Sequence, residues 1–348
     1  MLLRFVLLLL CASPLAAQQP WTFAVSGDSR NCGDVVMPAI AAGAHHDQAA
    51  FYWHLGDLRA INDFDQDYKQ LVTASGAPLR IIDYQNRAWD DFIENQITPF
   101  GDTPFYLGIG NHETISPKTR SDFLIQFADW LDTPELRQQR LKDNPKDHRL
   151  RTYYHWQRDG IDFINLDNSS SDQFDRDQLA WVDRVLAADA ADPSVRTIIV
   201  GMHEALPDSI SKGHSMNESA QGEWSGRRVY AALVDIQNKA HKVVYVLASH
   251  SHFFMEGIYN TEYWRANGGV LPGWIVGTAG ASRAALPPKS NDAKIAKTNV
   301  YGYLLAKVSP VGAIDFRFHQ LEENDIPAEV VARFGPTLVH DCFAANRQ

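Results

Sequence analysis

Five short apolar runs, each followed by a loop that carries aspartate, asparagine or histidine, limit what this 348-residue chain can become. The runs are Trp21-Thr22-Phe23-Ala24-Val25, Phe51-Tyr52-Trp53-His54-Leu55, Pro104-Phe105-Tyr106-Leu107, Thr197-Ile198-Ile199-Val200 and Val243-Val244-Tyr245-Val246-Leu247. Continuous apolar runs read as buried strands, and their alternation with helical or polar segments indicates an α/β architecture. Asp159-Gly160 between two further runs, 153–156 and 161–166, signals a hairpin, and residues 301–308 and 313–319 read as a late one. The clearest helix pattern covers residues 172–188, with Leu179, Val182, Val185 and Leu186 on one face and Ser171 or Asp172 as cap. Residues 116–150 read as charged and helical, with Phe123, Phe127, Trp130 and Leu131 as a core stripe. Segments 205–228 and 279–299, polar and rich in Ser, Gly, Pro and Lys, read as loops over a site.

The loops carry the chemistry. They contain Gly27-Asp28-Ser29-Arg30, Gly56-Asp57, Gly110-Asn111-His112-Glu113, His203-Glu204 and His250-Ser251-His252. In α/β sheets the carboxyl ends of the strands form the ligand crevice. Carboxylate and amide oxygens mixed with imidazoles suit Mn, Fe, Zn or Ni; calcium asks for more oxygens and structural zinc for cysteines. Glycine before each aspartate is expected to let the backbone turn so that the carboxylate enters the crevice.

In this order the motifs resemble those of the calcineurin-like metallophosphoesterases, which include the purple acid phosphatases; the resemblance covers roughly residues 21 to 320. It implies a four-layer α/β/β/α sandwich (α+β in some schemes) with mixed sheets and a metal site at the C-terminal ends of strands. It also implies two divalent ions and hydrolysis of phosphoric esters by metal-activated hydroxide, since coordination lowers the pKa of water from 15.7 to about 7. Carried over by position, Asp57 bridges the ions, Asn111, His203 and His250 complete the second position, and Asp28 and His252 serve the first. His112 matches the family histidine that meets the phosphate or the leaving group, where a donor stabilises developing charge. The departure is Arg30, where the family has the histidine of Asp-x-His; the tyrosine that purple acid phosphatases use instead would fall at Ala60. Arginine stays protonated and cannot bind a cation. It therefore points away or clamps substrate phosphate, and the expectation is a weak, exchangeable first ion, with a one-metal site as the rival.

The substrate class expected is a small-molecule phosphate ester, monoester before diester. A ligand-binding protein on a decayed scaffold is the alternative from another class. With 32 Lys and Arg against 42 Asp and Glu the net charge is −10, which argues against a nucleic-acid-binding surface. Residues 1–17, one arginine followed by an apolar run and small residues, read as a signal peptide, and no later stretch is long and apolar enough to span a membrane. That leaves residues 18–348 as one expected domain in a secreted or periplasmic protein, with insertions near 113–150, 205–228 and 279–299. Its two cysteines, Cys32 and Cys342, pair in an oxidising compartment or remain two unrelated buried thiols. Among other residues, His54 reads as a core histidine and His45-His46 as an exposed pair. His155 has no partner by spacing, and His214 alone among the remaining histidines is a candidate substrate contact. Phe253, Phe254 and Trp264 are candidates to wall a leaving group, Arg283 and Lys289 to meet phosphate, and Asn168 and Asn217 fit the glycosylation pattern.

Overall fold

The computed structural model describes residues 19–68, 79–169 and 173–347; the expected signal peptide lies outside them. Among the described residues, twelve strands form two mixed sheets. They are β1 (Trp21–Ser26), β2 (Ala49–His54), β3 (Phe105–Leu107), β4 (Tyr154–Arg158), β5 (Ile161–Asn165), β6 (Thr197–Gly201), β7 (Val243–Ala248), β8 (Phe254–Glu256), β9 (Gly273–Val276), β10 (Ile295–Lys297), β11 (Tyr301–Val308) and β12 (Ile314–Leu321). One sheet has the order β12-β11-β1-β2-β3 and the other β10-β8-β9-β7-β6-β5-β4. In the first, β1, β2 and β3 run parallel and β11 and β12 complete an antiparallel edge. In the second, β5, β6, β7 and β9 run parallel.

The sheets pack face to face through aromatic side chains. Phe23 of β1 meets Phe163 of β5 edge-on at 5.2 Å between ring centroids, and Trp53 of β2 meets Trp156 of β4 at 5.1 Å. Strand alternation sorts the second sheet's residues by face: Phe163 and Ile199 join this inter-sheet core, while Ile164, Ile198 and Val200 join the core under the outer helices. Those helices are Arg176–Ala191 and Ala220–Lys239, and helix Gly33–His46 contributes Val35, Val36 and Ile40 to the core of the first sheet. The layering is the expected α/β/β/α sandwich.

Several boundaries differ from the sequence expectation. The helix placed at 172–188 begins at Arg176, where the Asp175 side chain accepts from Gln178 N at 2.8 Å; Ser171 and Asp172 lie outside the described residues. Its four expected apolar residues are buried. Segment 205–228 is a loop only to Ser219, whose hydroxyl caps helix Ala220–Lys239. Glycines at 222 and 226 disguise that helix; a Cβ on Gly226 would meet Pro207 Cδ at 2.4 Å, so the helix there needs a missing side chain to pack against the loop. Segment 279–299 includes the edge strand β10, which pairs with β8. Residues 116–150 form three short helices, Arg120–Gln126, Ala128–Leu131 and Pro134–Asp143. Cys32 and Cys342 are joined by a disulfide.

Candidate metal centre

The candidate residues gather where β1, β2, β3, β6 and β7 end. Backbone bonds stitch their loops together: Asp28 N donates to Gly56 O at 2.9 Å, Ser29 N to Asp57 O at 3.0 Å, and Ser249 N to His203 O at 2.8 Å. Asp28, Asp57 and His250 adopt φ of 59°, 60° and 63°, a left-handed conformation that costs a non-glycine residue about 1–3 kcal/mol and clusters at functional sites. Gly56, at φ 94°, makes the turn expected of it. Gly27 does something else: a Cβ there would lie 2.4 Å from Ser249 Oγ, so the glycine permits close approach and Asp28 itself takes the left-handed turn.

Three imidazoles are oriented by the same device. Nδ1 of His112 faces Ala60 O at 2.6 Å, that of His203 faces Leu55 O at 3.0 Å, and that of His252 faces Ser282 O at 2.8 Å. A carbonyl only accepts, so each Nδ1 carries the proton and Nε2 is left to face the site. His250 is the exception and presents Nδ1, 3.0 Å from His203 Nε2. His203 Nε2 is also 3.0 Å from Asn111 Oδ1 and 3.3 Å from Asp57 Oδ1. Metal bonds of about 2.0–2.2 Å at tetrahedral angles put neighbouring donors about 3.3–3.6 Å apart, and octahedral angles bring them closer. The donor set Asp57, Asn111, His203 and His250 therefore fits one divalent ion. Among the described residues, Asp57, His203 and His250 form a group whose donor atoms lie within 4.8 Å of one another, as do His214, Glu218 and His250. The second group brings His214 near His250, with ring centroids 5.7 Å apart.

Charge follows geometry. Burial disfavours a charged imidazole at His203, yet Asp57 beside it raises it to about 10, while burial and the neighbouring His203 push His250 down to about 3. Burial also works against ionised Asp28 and Asp57. The neighbouring His252 and His203 nevertheless bring Asp28 down to about 2, and His203 and His112 hold Asp57 well below the usual carboxylate range.

Asp28 and His252 stand apart from the first four donors. Asp28 Oδ2 accepts from Ser249 Oγ at 2.7 Å and His250 N at 2.6 Å, and its Oδ1 lies 3.4 Å from His252 Nε2. Arg30 reaches in between. Its Nη2 is 3.0 Å from His252 Nε2 and its Nε is 3.4 Å from Asp57 Oδ2. Arg30 thus points inward, and its near neighbours are the residues expected to hold the first ion.

Sequence reasoning missed Glu113 as a positioning group. Buried, it accepts from Asp57 N and Leu58 N at 2.9 Å each and from Gly110 N at 2.7 Å, so one carboxylate ties the β2 loop to the β3 loop. Its place at the end of Gly-Asn-His-Glu, three residues after a glycine, was the available signal. Other expectations resolve into structure. His54 is a buried, satisfied histidine bonded to Ser29 Oγ at 3.0 Å, and His45 and His46 are exposed. Phe253, Phe254 and Trp264 are buried in the core. Arg283 is buried and donates to the carbonyls of Asn299, Cys342, Phe343 and Asn346, which leaves it no phosphate role. Asn168 is buried and bonded to the backbone of Glu204 on both sides of its amide, unlike a glycosylation acceptor. His155, expected to be unpartnered, lies between Asp143 and Asp162.

The family model described as calcineurin-like phosphoesterase matches residues 23–254, more than half of the chain. No curated protein matches it. Similar solved structures include that of PhoD, at TM-score 0.54 and 14% identity, covering 95% of this chain and 78% of the other. A dimetal phosphatase from Danio rerio is similar at TM-score 0.51 and 10% identity, over 86% of this chain and 96% of that one. Identities this low speak for the fold alone.

Proposed function

Because the chain belongs to the calcineurin-like phosphoesterase family, hydrolases that act on phosphoester bonds, we propose that it hydrolyses small phosphate monoesters at a divalent-metal centre held by Asp57, Asn111, His203 and His250. What carries the proposal is the gathering of three donors around His203 Nε2, with Asn111 Oδ1 and His250 Nδ1 at 3.0 Å and Asp57 Oδ1 at 3.3 Å. A divalent ion there supplies Lewis-acid polarisation of the phosphoryl oxygen and activation of water. His112 Nε2, 3.9 Å from Asp57 Oδ2, is available to donate to the leaving oxygen once protonated; Nδ1 is occupied by Ala60 O, which fixes the ring. Arg30 presents an always-charged fork at the same place, and a dianionic monoester gains more from such a fork than a monoanionic diester. Nothing in the donor set prefers Mn, Fe, Zn or Ni over the others.

The disulfide agrees with an oxidising location, and among the described residues no helix is long and apolar enough to cross a membrane. We place the mature chain in a secreted or periplasmic setting on that ground together with the leader expected at residues 1–17.

The test is metal-dependent turnover of p-nitrophenyl phosphate and bis-p-nitrophenyl phosphate. Monoester turnover is expected to fall by about 10²–10⁴ in His112→Ala and to be lost in Asn111→Ala together with metal affinity. Faster turnover of the diester would reverse the substrate preference, and no turnover with any of the four metals would favour a binding protein.

A further inference from the structure

We infer that this site binds one divalent ion, and that the Arg30 guanidinium stands where the family's first ion would be. The inference deepens the phosphoesterase reading and rests on it for the chemistry the charge would serve.

The two halves of the expected dinuclear site differ in what their donors do. In the second position the donors gather on one another, as four lone-pair atoms should around a cation. In the first they do not. Among the described residues, Asp28 and His252 form no group with Asp57 in which the donor atoms lie within 4.8 Å of one another. The inward oxygens Asp28 Oδ1 and Asp57 Oδ2 are buried and accept no hydrogen bond, the condition of carboxylate atoms facing a cation. For Asp57 Oδ2 the nearby cation is on the chain, and Asp28 Oδ1 lies 3.4 Å from His252 Nε2, the ring that this cation also touches. Arg30 Nε is 3.4 Å from Asp57 Oδ2, and Nη2 donates to His252 Nε2, the ring nitrogen left bare by the bond from Nδ1 to Ser282 O.

The guanidinium is also held there. Asn31, next along the chain, donates its N–H to Asp65 Oδ1 at 2.6 Å and accepts from Ser282 N on its own Oδ1 at 3.1 Å. Cys32 follows, with its N–H on Arg30 O at 3.0 Å and its sulfur in the disulfide. Arg30 therefore leaves a backbone anchored immediately after it. A second divalent ion would have to sit against the positive guanidinium and take ligands already engaged by it. With the side chain 17% exposed, part of the fork remains reachable by a phosphate oxygen. One charge that the chain carries permanently would then do the electrostatic part of the missing ion's work, and water activation would be left to the ion at the second position.

The test counts metal. Wild-type protein, loaded with Mn or Zn and dialysed, is expected to retain about one ion per chain, and its Mn form to give the magnetic resonance spectrum of an isolated ion. Arg30→His, which restores the family's Asp-x-His, is expected to retain about two and to give an exchange-coupled signal. Two ions in the wild type, or an exchange-coupled wild-type spectrum, would overturn the assignment. So would a folded Arg30→His that still holds one ion; circular dichroism checks the fold, and the wild-type count stands without the variant. If the wild type holds one ion and turns over no phosphate ester, the assignment of Arg30 survives and the phosphoesterase reading fails.

Discussion

Glu113 shows how much of a metal site is decided by a residue that need not touch the metal. Its two oxygens receive three backbone N–H groups, from Asp57, Leu58 and Gly110, and so fix the distance between the loop that carries Asp57 and the loop that carries Asn111. In Glu113→Gln one acceptor becomes an NH₂ facing N–H donors, which costs about 1–3 kcal/mol for the buried groups left unpaired. Because Asp57 and Asn111 lose their common support, metal affinity is expected to fall by about 10–100-fold, as changes behind metal ligands commonly do. Competition titration against a chelator measures it; an affinity equal to wild type would remove Glu113 from the site's support. The candidate ligands were legible in sequence because each lies in a loop that follows an apolar run. The partners of Glu113 were not, since Asp57 and Leu58 lie more than 50 residues away. Arg30 was legible as a departure from a pattern, but only the fold brings it to His252, 222 residues on.

At the scale of elements, strands within clear apolar runs or beside turn signals announced themselves, and β8 and β9 did not. β8 and β9 are three and four residues long, and they escaped notice because neither offers enough alternation or a long enough apolar run. Helix Ala220–Lys239 hid its first turns behind glycines for a related reason: local composition favoured a loop and packing against Pro207 decided otherwise. The junction of helix Pro134–Asp143 with the hairpin β4–β5 was hidden differently, since its charges pair only in three dimensions. There His155 holds Asp162 on Nδ1 at 2.8 Å and Asp143 on Nε2 at 2.6 Å, beside Gln139 and the Trp181 ring. Burial alone would lower its pKa, but the two carboxylates raise it to about 10. Asp189, linked through Gln157, is raised by burial and then by Asp162 to about 8. Both groups bind protons more tightly in the folded chain, so their contribution to stability is complete at low pH and fades as pH rises. For His155 the window runs from its unfolded value near 6.5 to about 10. The stability difference between wild type and His155→Gln is therefore expected to shrink by about 1 kcal/mol or more across that window. Urea denaturation at several pH values reads it; a difference that stays constant would mean the histidine is neutral in the fold.

Over the whole molecule, a disulfide ties the last helix to the loop that carries Arg30. The disulfide joins Cys32, at the start of helix Gly33–His46, to Cys342 in helix Pro336–Ala344, across 310 residues of sequence. The same terminal helix is held by Arg283, which donates to Cys342 O at 3.2 Å and to Phe343 O at 2.6 Å, and by Tyr301, whose hydroxyl donates to Cys342 O at 3.1 Å. Asn346 then reaches back, its Nδ2 donating to Gly280 O and its Oδ1 accepting from Ser282 Oγ. Ser282 in turn supplies the carbonyl that orients His252 and donates its N–H to Asn31, next to Arg30. Pairing was one of two readings of the cysteine count, and Cys32 stands two residues from Arg30 in the sequence; the path from the terminal helix through Asn346 and Ser282 to His252 was not legible. The bond closes nearly the whole chain, and removing a native disulfide typically costs about 2–5 kcal/mol. Cys342→Ala and reduced wild type are each expected to lose stability in that range by denaturant titration, while Asp57, Asn111, His203 and His250, on loops supported by Glu113 and by strand ends, keep their metal. Equal midpoints with and without reductant would show that hydrogen bonds alone hold the terminal helix. Loss of the bound ion on reduction would show that the second metal position, too, depends on this closure.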